Sequence, residues 1–173
     1  MSTATVTHST LSAADVLRAQ AQVTHHILRQ NTEGITHEES LTQPGCGGNC
    51  LNWVAGHLLW VNEMALSALG QPPVVGVDAL KRYHRGSAEL HDPSEAIPLE
   101  QLLSAWDESW SRIDAGLAAI SPERLEALAP FSPRKKADET VGSLLTIIMF
   151  HQAYHTGQSG ILRRLLGKEG AIK

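Results

Sequence analysis

Apolar side chains recur at three- and four-residue spacing in four stretches of the chain, which is the spacing of an amphipathic α-helix. The four predicted helices cover residues 12–31, 50–69, 99–120 and 139–166. Local signals support their ends: Ser12 and Asp138 are suited to cap helices, Pro98 precedes the third helix, and Gly70 follows the second. No segment alternates apolar and polar residues for long, so the pattern predicts an all-α protein.

The four helices are predicted to surround a common core. In the first helix, Val16, Val23 and Ile27 lie close to one face, and the third helix carries a longer apolar stripe. That stripe consists of Leu102, Leu103, Trp106, Trp110, Ile113 and Leu117. Because a long crossover, residues 71–97, joins the second and third helices, the arrangement predicts a four-helix bundle.

The fourth predicted helix carries polar side chains in the middle of its apolar face. This face consists of Leu144, Ile148, His151, His155, Gln158, Leu162 and Leu165, at alternating four- and three-residue steps. His151 and His155 lie one turn apart and point together toward the bundle interior, a spacing that lets two imidazoles bind one ion. Burying such groups without partners costs about 1–3 kcal/mol each, so this layer needs partners.

A third histidine, His57, lies in the second helix at helical spacing from Trp53 and Trp60, and Gly56 beside it permits close approach of a partner. On its own, His57 would be interpreted as a hydrogen-bonded core histidine. Taken with His151 and His155 it predicts a metal site, because three imidazoles with an open fourth position are typical of catalytic zinc centres. Gln158 either orients one of the ligands or is a polar packing residue.

Composition and charge narrow the class of protein. The 173 residues are 42% hydrophobic and 18% charged, which predicts one globular domain over 1–173 with a flexible Ser/Thr-rich start at 1–10. The net charge of −4 gives no sign of a nucleic-acid-binding surface, and the longest uncharged apolar run, 144–150, is too short to cross a membrane. With two cysteines and no secretion signal, we expect a cytoplasmic protein.

Other reactive side chains are interpreted as structural or exposed. Cys46 and Cys50 precede the second helix, whose N-terminus lowers a thiol pKa; a redox pair and a second metal site are alternatives to two unpaired structural thiols. Tyr154 is expected to pack between helices. The remaining histidines, predicted to lie on the surface or in loops, are His8, His25, His26, His37, His84 and His91.

The crossover contains Tyr83, His84 and Arg85 in succession. A lid or a clamp for an anionic substrate would be expected in such a connection, and a solvated loop is the simpler interpretation that we adopt.

The motif His-Gln-Ala-Tyr-His-Thr-Gly-Gln at 151–158, with His57 in a Trp-rich helix and the basic segment 162–168, resembles the DinB-like superfamily over nearly the whole chain. (A DNA polymerase that shares the name is unrelated.) The resemblance implies an up-up-down-down four-helix bundle, a divalent metal held by His57, His151 and His155, and a homodimer.

Characterised members of this superfamily include transferases and isomerases that use low-molecular-weight thiols such as bacillithiol or mycothiol. The resemblance therefore implies a metal-dependent enzyme that activates such a thiol, or water, toward a small-molecule substrate in detoxification or stress response. Zinc is the expected metal, with nickel, iron or manganese as alternatives. A metal-dependent hydrolase and a non-catalytic metal-binding stress-response protein are the competing hypotheses. The sequence lacks the Glu-x-x-His pairs of di-iron bundles and the Cys-x-x-Cys-His motif of c-type haem proteins.

Overall fold

The computed structural model describes residues 11–45 and 47–172, and within them the protein is all-helical. Six α-helices form: α1 (Ala13–Thr32), α2 (His37–Ser40), α3 (Leu51–Leu69), α4 (Leu99–Ala119), α5 (Pro122–Glu126) and α6 (Val141–Leu165). Two 3₁₀ turns, Lys81–Tyr83 and Pro93–Glu95, lie in the crossover. In the described part of the chain, extended backbone pairing is limited to one antiparallel bridge between Leu128 and Thr140.

The long helices α1, α3, α4 and α6 pack in a ring. α3 packs against α4 and α6, and α1 packs against the same two helices. This confirms the all-α prediction and places the crossover between α3 and α4. The helix directions implied by the resemblance stay a prediction. Within the described residues, we find no helix that combines the length and the apolar character required to span a bilayer.

The helix ends follow the predicted signals at three of four positions. Ser12 caps α1 and Pro98 precedes α4, while Gly70 ends α3 in the left-handed region at φ 68°. The prediction that Asp138 caps the fourth helix is wrong: Thr140 is the N-cap, and its side chain accepts a hydrogen bond from the backbone N–H of Ser143. Asp138 lies two residues too early to reach these N–H groups.

Glu139, at the same junction, has a different role. Its buried carboxylate accepts hydrogen bonds from Arg134 at 2.5 and 3.1 Å and from the hydroxyls of Ser143 and Ser132. The Arg134 bond, reinforced by the two serines, lowers the pKa of Glu139 to about 2. The ion pair fastens the loop before α6.

The predicted inner face of α1 is wrong. Leu17, Ala21 and Leu28 are buried, whereas Val16 and Val23 are 46% and 62% exposed. Apolar residues follow helical spacing on both sides of this helix, so periodicity alone could not choose the side that packs on α4 and α6. The outer side leaves an apolar surface beside α6.

The stripes of the other two helices are largely confirmed. On α4, the buried members are Leu102, Trp106, Ile113 and Leu117. On α6, Leu144, Ile148 and Leu162 are buried, but Leu165 is 59% exposed because the helix ends at this residue, beyond the region that its neighbours cover.

The connections contain the remaining differences. The segment between α1 and α3, for which no helix was predicted, contains the short helix α2. In the crossover, Tyr83 is fully buried, so its interpretation as part of a solvated loop is wrong; His84 and Arg85 are exposed, as predicted. The predictions for residues 1–10, including His8, and for Cys46 fall outside the described residues.

Candidate metal centre

α3 and α6 bring His57, His151 and His155 together. One nitrogen from each ring lies within 4.8 Å of the nitrogens of the other two. The Nε2 atoms of His57 and His151 are 3.4 Å apart, and the ring centroids of His151 and His155 are 4.5 Å apart. His57 is 2% exposed, and the other two rings are half-buried, so the cluster lies inside the protein with one side toward solvent.

The spacing of these nitrogens suits a transition metal. Imidazole nitrogens about 2.1 Å from a tetrahedral ion are about 3.4 Å from one another. The separation of the His57 and His151 nitrogens matches this distance without any movement of the backbone. A donor set of three neutral nitrogens also suits zinc, nickel or iron.

Burial keeps these imidazoles neutral. Loss of hydration lowers the pKa of His57 to about 4 and that of His151 to about 4, and repulsion from His155 adds to both. Burial also lowers the pKa of His155, against the hydrogen bond that His155 donates to Gln158, which raises it. Near neutral pH each ring therefore keeps one unprotonated nitrogen with a lone pair, which a metal requires.

Two of the rings are oriented by hydrogen bonds on their other nitrogen. His57 Nδ1 is 2.7 Å from the backbone carbonyl oxygen of Tyr83, and His155 Nδ1 is 2.7 Å from Oε1 of Gln158. Because an oxygen of this kind only accepts, both Nδ1 atoms carry the proton and both Nε2 lone pairs are free. Among the described residues, nothing bonds to the buried Nδ1 of His151.

Two tryptophans enclose His57. Trp53 and Trp60 stack on its ring with centroids 4.7 and 5.8 Å away and interplanar angles of 16° and 14°. Trp53 is itself fixed to the crossover, since its indole N–H donates to Ser87 Oγ at 2.9 Å. The stacking restricts rotation of the imidazole and keeps water from its faces.

The crossover brings positive charge close to this cluster. Arg85 is near enough to lower the pKa of His151 by charge repulsion, and His84 has the same effect on His57. Tyr154 is 60% exposed and meets the ring of His155 edge-on at 5.2 Å, so the prediction that it packs between helices is wrong. It lies at the solvent side of the cluster.

The remaining candidates lie elsewhere. Cys50 is free and buried, and burial raises the pKa of its thiol, which is opposite to the lowering expected at a helix N-terminus and fits a structural thiol. His25 was predicted to be a surface residue, but it is half-buried: it bonds to Asp107 at 2.8 Å and stacks on Trp106 and Trp110.

A second polar layer, which joins α3, α4 and α6, was not predicted. Asn62 donates through Nδ2 to Ser109 Oγ at 2.6 Å, and Ser109 donates to the Trp106 carbonyl oxygen at 2.9 Å. Gln152 donates to Asn62 Oδ1. The three side chains are almost fully buried.

The sequence also did not indicate that the Tyr83 carbonyl oxygen binds His57, because a backbone atom has no residue-type signal. The signal available in the sequence was Gly56, which allows the Tyr83 ring to approach α3 closely.

The sequence model of the DinB superfamily matches residues 20–159. Among solved structures, the chain is similar to a crystal structure of a conserved protein from Enterococcus faecalis, with a TM-score of 0.70 and 18% identity. That similarity covers 92% of this chain and 100% of the other, and it shows the fold alone. The search of curated proteins found no match. Since the family match spans most of the sequence, the chain belongs to the DinB superfamily.

Proposed function

We propose that His57, His151 and His155 bind one divalent transition metal per chain, and that the protein is a metal-dependent enzyme acting on a small molecule. The observation that carries this proposal is the convergence of unprotonated ring nitrogens. The Nε2 atoms of His57 and His151 lie 3.4 Å apart, and His57 Nε2 carries a lone pair because Nδ1 donates to the Tyr83 carbonyl oxygen. When His151 is protonated at Nδ1, its Nε2 presents a second lone pair, and a cation between the two atoms would accept both.

A divalent ion bound by three histidines would lower the pKa of a water or thiol in its open coordination position. Three features of the chain support such chemistry at this site. Hydrogen bonds to Tyr83 and Gln158 orient the rings of His57 and His155. The stacked rings of Trp53 and Trp60 exclude water from the faces of His57. The half-buried rings of His151 and His155 leave access from solvent for a small substrate.

Thiol transfer is the reaction that we favour. In this reaction the thiol proton passes to water and the sulfur forms a new bond to an electrophilic carbon. The carbon either releases a leaving group with the electron pair of its bond, or is part of a double bond whose electrons take up a proton from water. The support is superfamily membership together with the positive charge of Arg85 beside the cluster, which favours a thiol or electrophile that carries an anionic group. Such a step belongs to detoxification or stress response. A reducing compartment such as the cytoplasm, where the free Cys50 stays reduced, suits this chemistry.

The test is thiol consumption with a model electrophile by protein loaded with zinc, nickel, iron or manganese in turn. We expect a metal-dependent rate that His57→Ala abolishes. Background rates with every low-molecular-weight thiol would contradict thiol transfer, and ester or amide hydrolysis without a thiol would identify the hydrolase alternative. If ligand variants lose only stability, the metal is structural. Elemental analysis of protein purified without a metal-affinity step identifies the native metal, for which we propose zinc.

We also propose that two copies associate through the groove between α1 and α6. This groove has a volume of about 620 Å³ and is lined by Ala19, Gln20, Val23, Thr24, Thr146, Met149, Phe150 and Ala153, none of which is charged. Phe150 is 70% exposed, and large exposed apolar patches mark interaction surfaces. Light scattering should report a dimer that Val23→Asp with Phe150→Asp dissociates, whereas Val77→Asp, at an exposed apolar position in the crossover, should leave it intact.

A further inference from the structure

We infer that Gly56 and Tyr83 form a positioning pair that orients the His57 ring, so that the crossover contributes to the metal centre. This inference rests on the proposed function and deepens it. The pair consists of a helical position without a side chain and the aromatic ring that occupies the space beside it.

The first step of the argument is steric. Tyr83 is fully buried, and its ring lies directly on the backbone of α3 at Gly56. A Cβ at position 56 would lie 2.5 Å from Cε1 and Cγ of the Tyr83 ring, and still closer to Cδ1, which real Cβ atoms do not do. Only glycine therefore allows this approach. Since glycine inside a helix costs about 1 kcal/mol relative to alanine, the close contact requires a compensating gain.

The second step concerns the hydroxyl end of the same residue. Tyr83 donates through its hydroxyl to Asn52 Oδ1 at 3.0 Å and accepts from the backbone N–H of Ile97 at 2.7 Å. Asn52 also donates to the Ile97 carbonyl oxygen at 3.0 Å. These bonds tie the middle and the C-terminal end of the crossover to the start of α3. Tyr83 is thereby held along its whole length.

The third step links this anchorage to the metal. The backbone carbonyl oxygen of Tyr83 accepts the proton of His57 Nδ1, and this bond determines which nitrogen of His57 faces the other two rings. Gly56 is the residue next to His57, so the ring contact and the carbonyl contact act on adjacent positions of one helical turn. Displacing the ring displaces the carbonyl, and His57 loses both its tautomer and its direction.

The main test is Gly56→Ala, with Gly116→Ala as the matched control. Gly116 is a buried glycine inside α4, far in sequence from the three histidines. A Cβ there would lie 3.2 Å from Gln71 Cγ and 3.3 Å from Leu69 Cβ. Both substitutions add a Cβ at a buried glycine of a long helix, but only the first meets Tyr83, and its clash is the more severe. We expect Gly56→Ala to weaken Co²⁺ binding roughly 10- to 100-fold and to alter the visible spectrum of bound Co²⁺. Gly116→Ala should leave affinity and spectrum unchanged.

A second variant and a metal-free measurement protect the test against misfolding. Tyr83→Phe keeps the ring and removes its two hydroxyl hydrogen bonds, and we expect a several-fold loss of Co²⁺ affinity with faster exchange of the Ile97 amide proton. In the metal-free wild type, ¹⁵N NMR should show His57 protonated at Nδ1, and Gly56→Ala should shift it toward a mixture of tautomers.

The outcomes separate the two proposals. Wild-type protein that binds no Co²⁺ would overturn the proposed function, while the tautomer of His57 would still show whether Gly56 and Tyr83 orient it. Wild-type binding that is unchanged in both Gly56→Ala and Tyr83→Phe, or an unperturbed His57 tautomer in a folded Gly56→Ala protein, would overturn the positioning role. Equal losses in Gly56→Ala and Gly116→Ala would also overturn it, since the effect would then be general destabilisation.

Discussion

Two polar layers lie in the helix bundle, one between α3 and α6 and one that also includes α4, and they differ in how their hydrogen-bonding groups are satisfied. In the layer formed by Asn62, Ser109 and Gln152, each of the described bonds pairs a donor with an acceptor. In the layer formed by His57 and His151 with His155, the buried Nδ1 of His151 has no hydrogen-bond partner among the described residues. The first layer is therefore satisfied by its own side chains, and the second keeps an unsatisfied nitrogen whichever nitrogen of His151 carries the proton.

This difference indicates what each layer does. A buried polar network whose members satisfy one another adds to stability and specifies how the helices pack. A buried group without a partner costs about 1–3 kcal/mol, so a fold keeps such a group only where something else uses it. Burial alone does not separate the two layers, because Asn62 and His57 are equally buried at 2% exposure. The two layers differ in whether each buried polar group has a hydrogen-bond partner.

The largest effect is expected from His57→Ala. This change removes one of three nitrogen ligands, and the binding free energy of zinc sites divided among their ligands predicts a loss of roughly 1000-fold in metal affinity. Competition titration with a chromophoric chelator measures it. Asn62→Ala, in the other layer, should leave the affinity within a few-fold of wild type. Equal losses in both variants would remove the distinction between the layers.

The next largest effect is the pH dependence of the metal-free protein. The pKa of His57 is about 4 when folded and near 6.5 when unfolded, so between these values the unfolded chain binds more protons. Stability should therefore fall as pH drops from about 6.5 to about 4, and His57 alone contributes on the order of 3 kcal/mol. His151 acts in the same direction.

Urea unfolding in the presence of a chelator, at several pH values in this window, tests that expectation. Asn62→Ala should keep the slope, because its layer contains no titrating group, whereas His57→Leu should reduce it and leave the contribution of His151. The Glu139 carboxylate, whose pKa is lowered from 4.5 to about 2, affects stability only below about pH 4.5, at the acidic end of this window. A wild-type curve that is flat from pH 6.5 to 4 would contradict the lowered pKa of these histidines.

Removal of the Asn62 side chain should lower the free energy of unfolding more than removal of the His151 ring. Asn62→Ala leaves the buried Ser109 and Gln152 without their partner and should destabilise the metal-free chain by about 2 kcal/mol. His151→Leu removes a ring whose buried Nδ1 has no described partner, so we expect little change or a gain. Denaturant midpoints measure both, and the reverse order of stabilities would contradict our comparison.

The smallest effect is expected from Gln158→Ala. Loss of the hydrogen bond to His155 Nδ1 should lower metal affinity roughly tenfold, because residues that orient metal ligands contribute about this much. Gln158→Glu retains an acceptor at this position and should restore the affinity. If Gln158→Ala instead lowers only thermal stability and leaves the affinity unchanged, the glutamine is a packing residue.

The sequence predicted the histidine layer better than the details of the fold around it. Helical spacing places His151, His155 and Gln158 on one face of any helix, so their convergence needed no knowledge of tertiary structure. The inner side of α1 was predicted wrongly, because Val16 and Val23 follow the same period as the residues that are buried. Tyr83 was also misjudged, since its burial depends on Gly56, far from it in the sequence.

The ligands of the proposed metal come from distant parts of the chain: 94 residues separate His57 from His151. An ion that joins them closes a loop of that length, and chain-entropy estimates for a covalent cross-link of similar span give about 4.7 kcal/mol. The ion would then cross-link α3 and α6. A nascent chain could acquire the ion only after α6 has left the ribosome, so metal loading would follow the synthesis of α6.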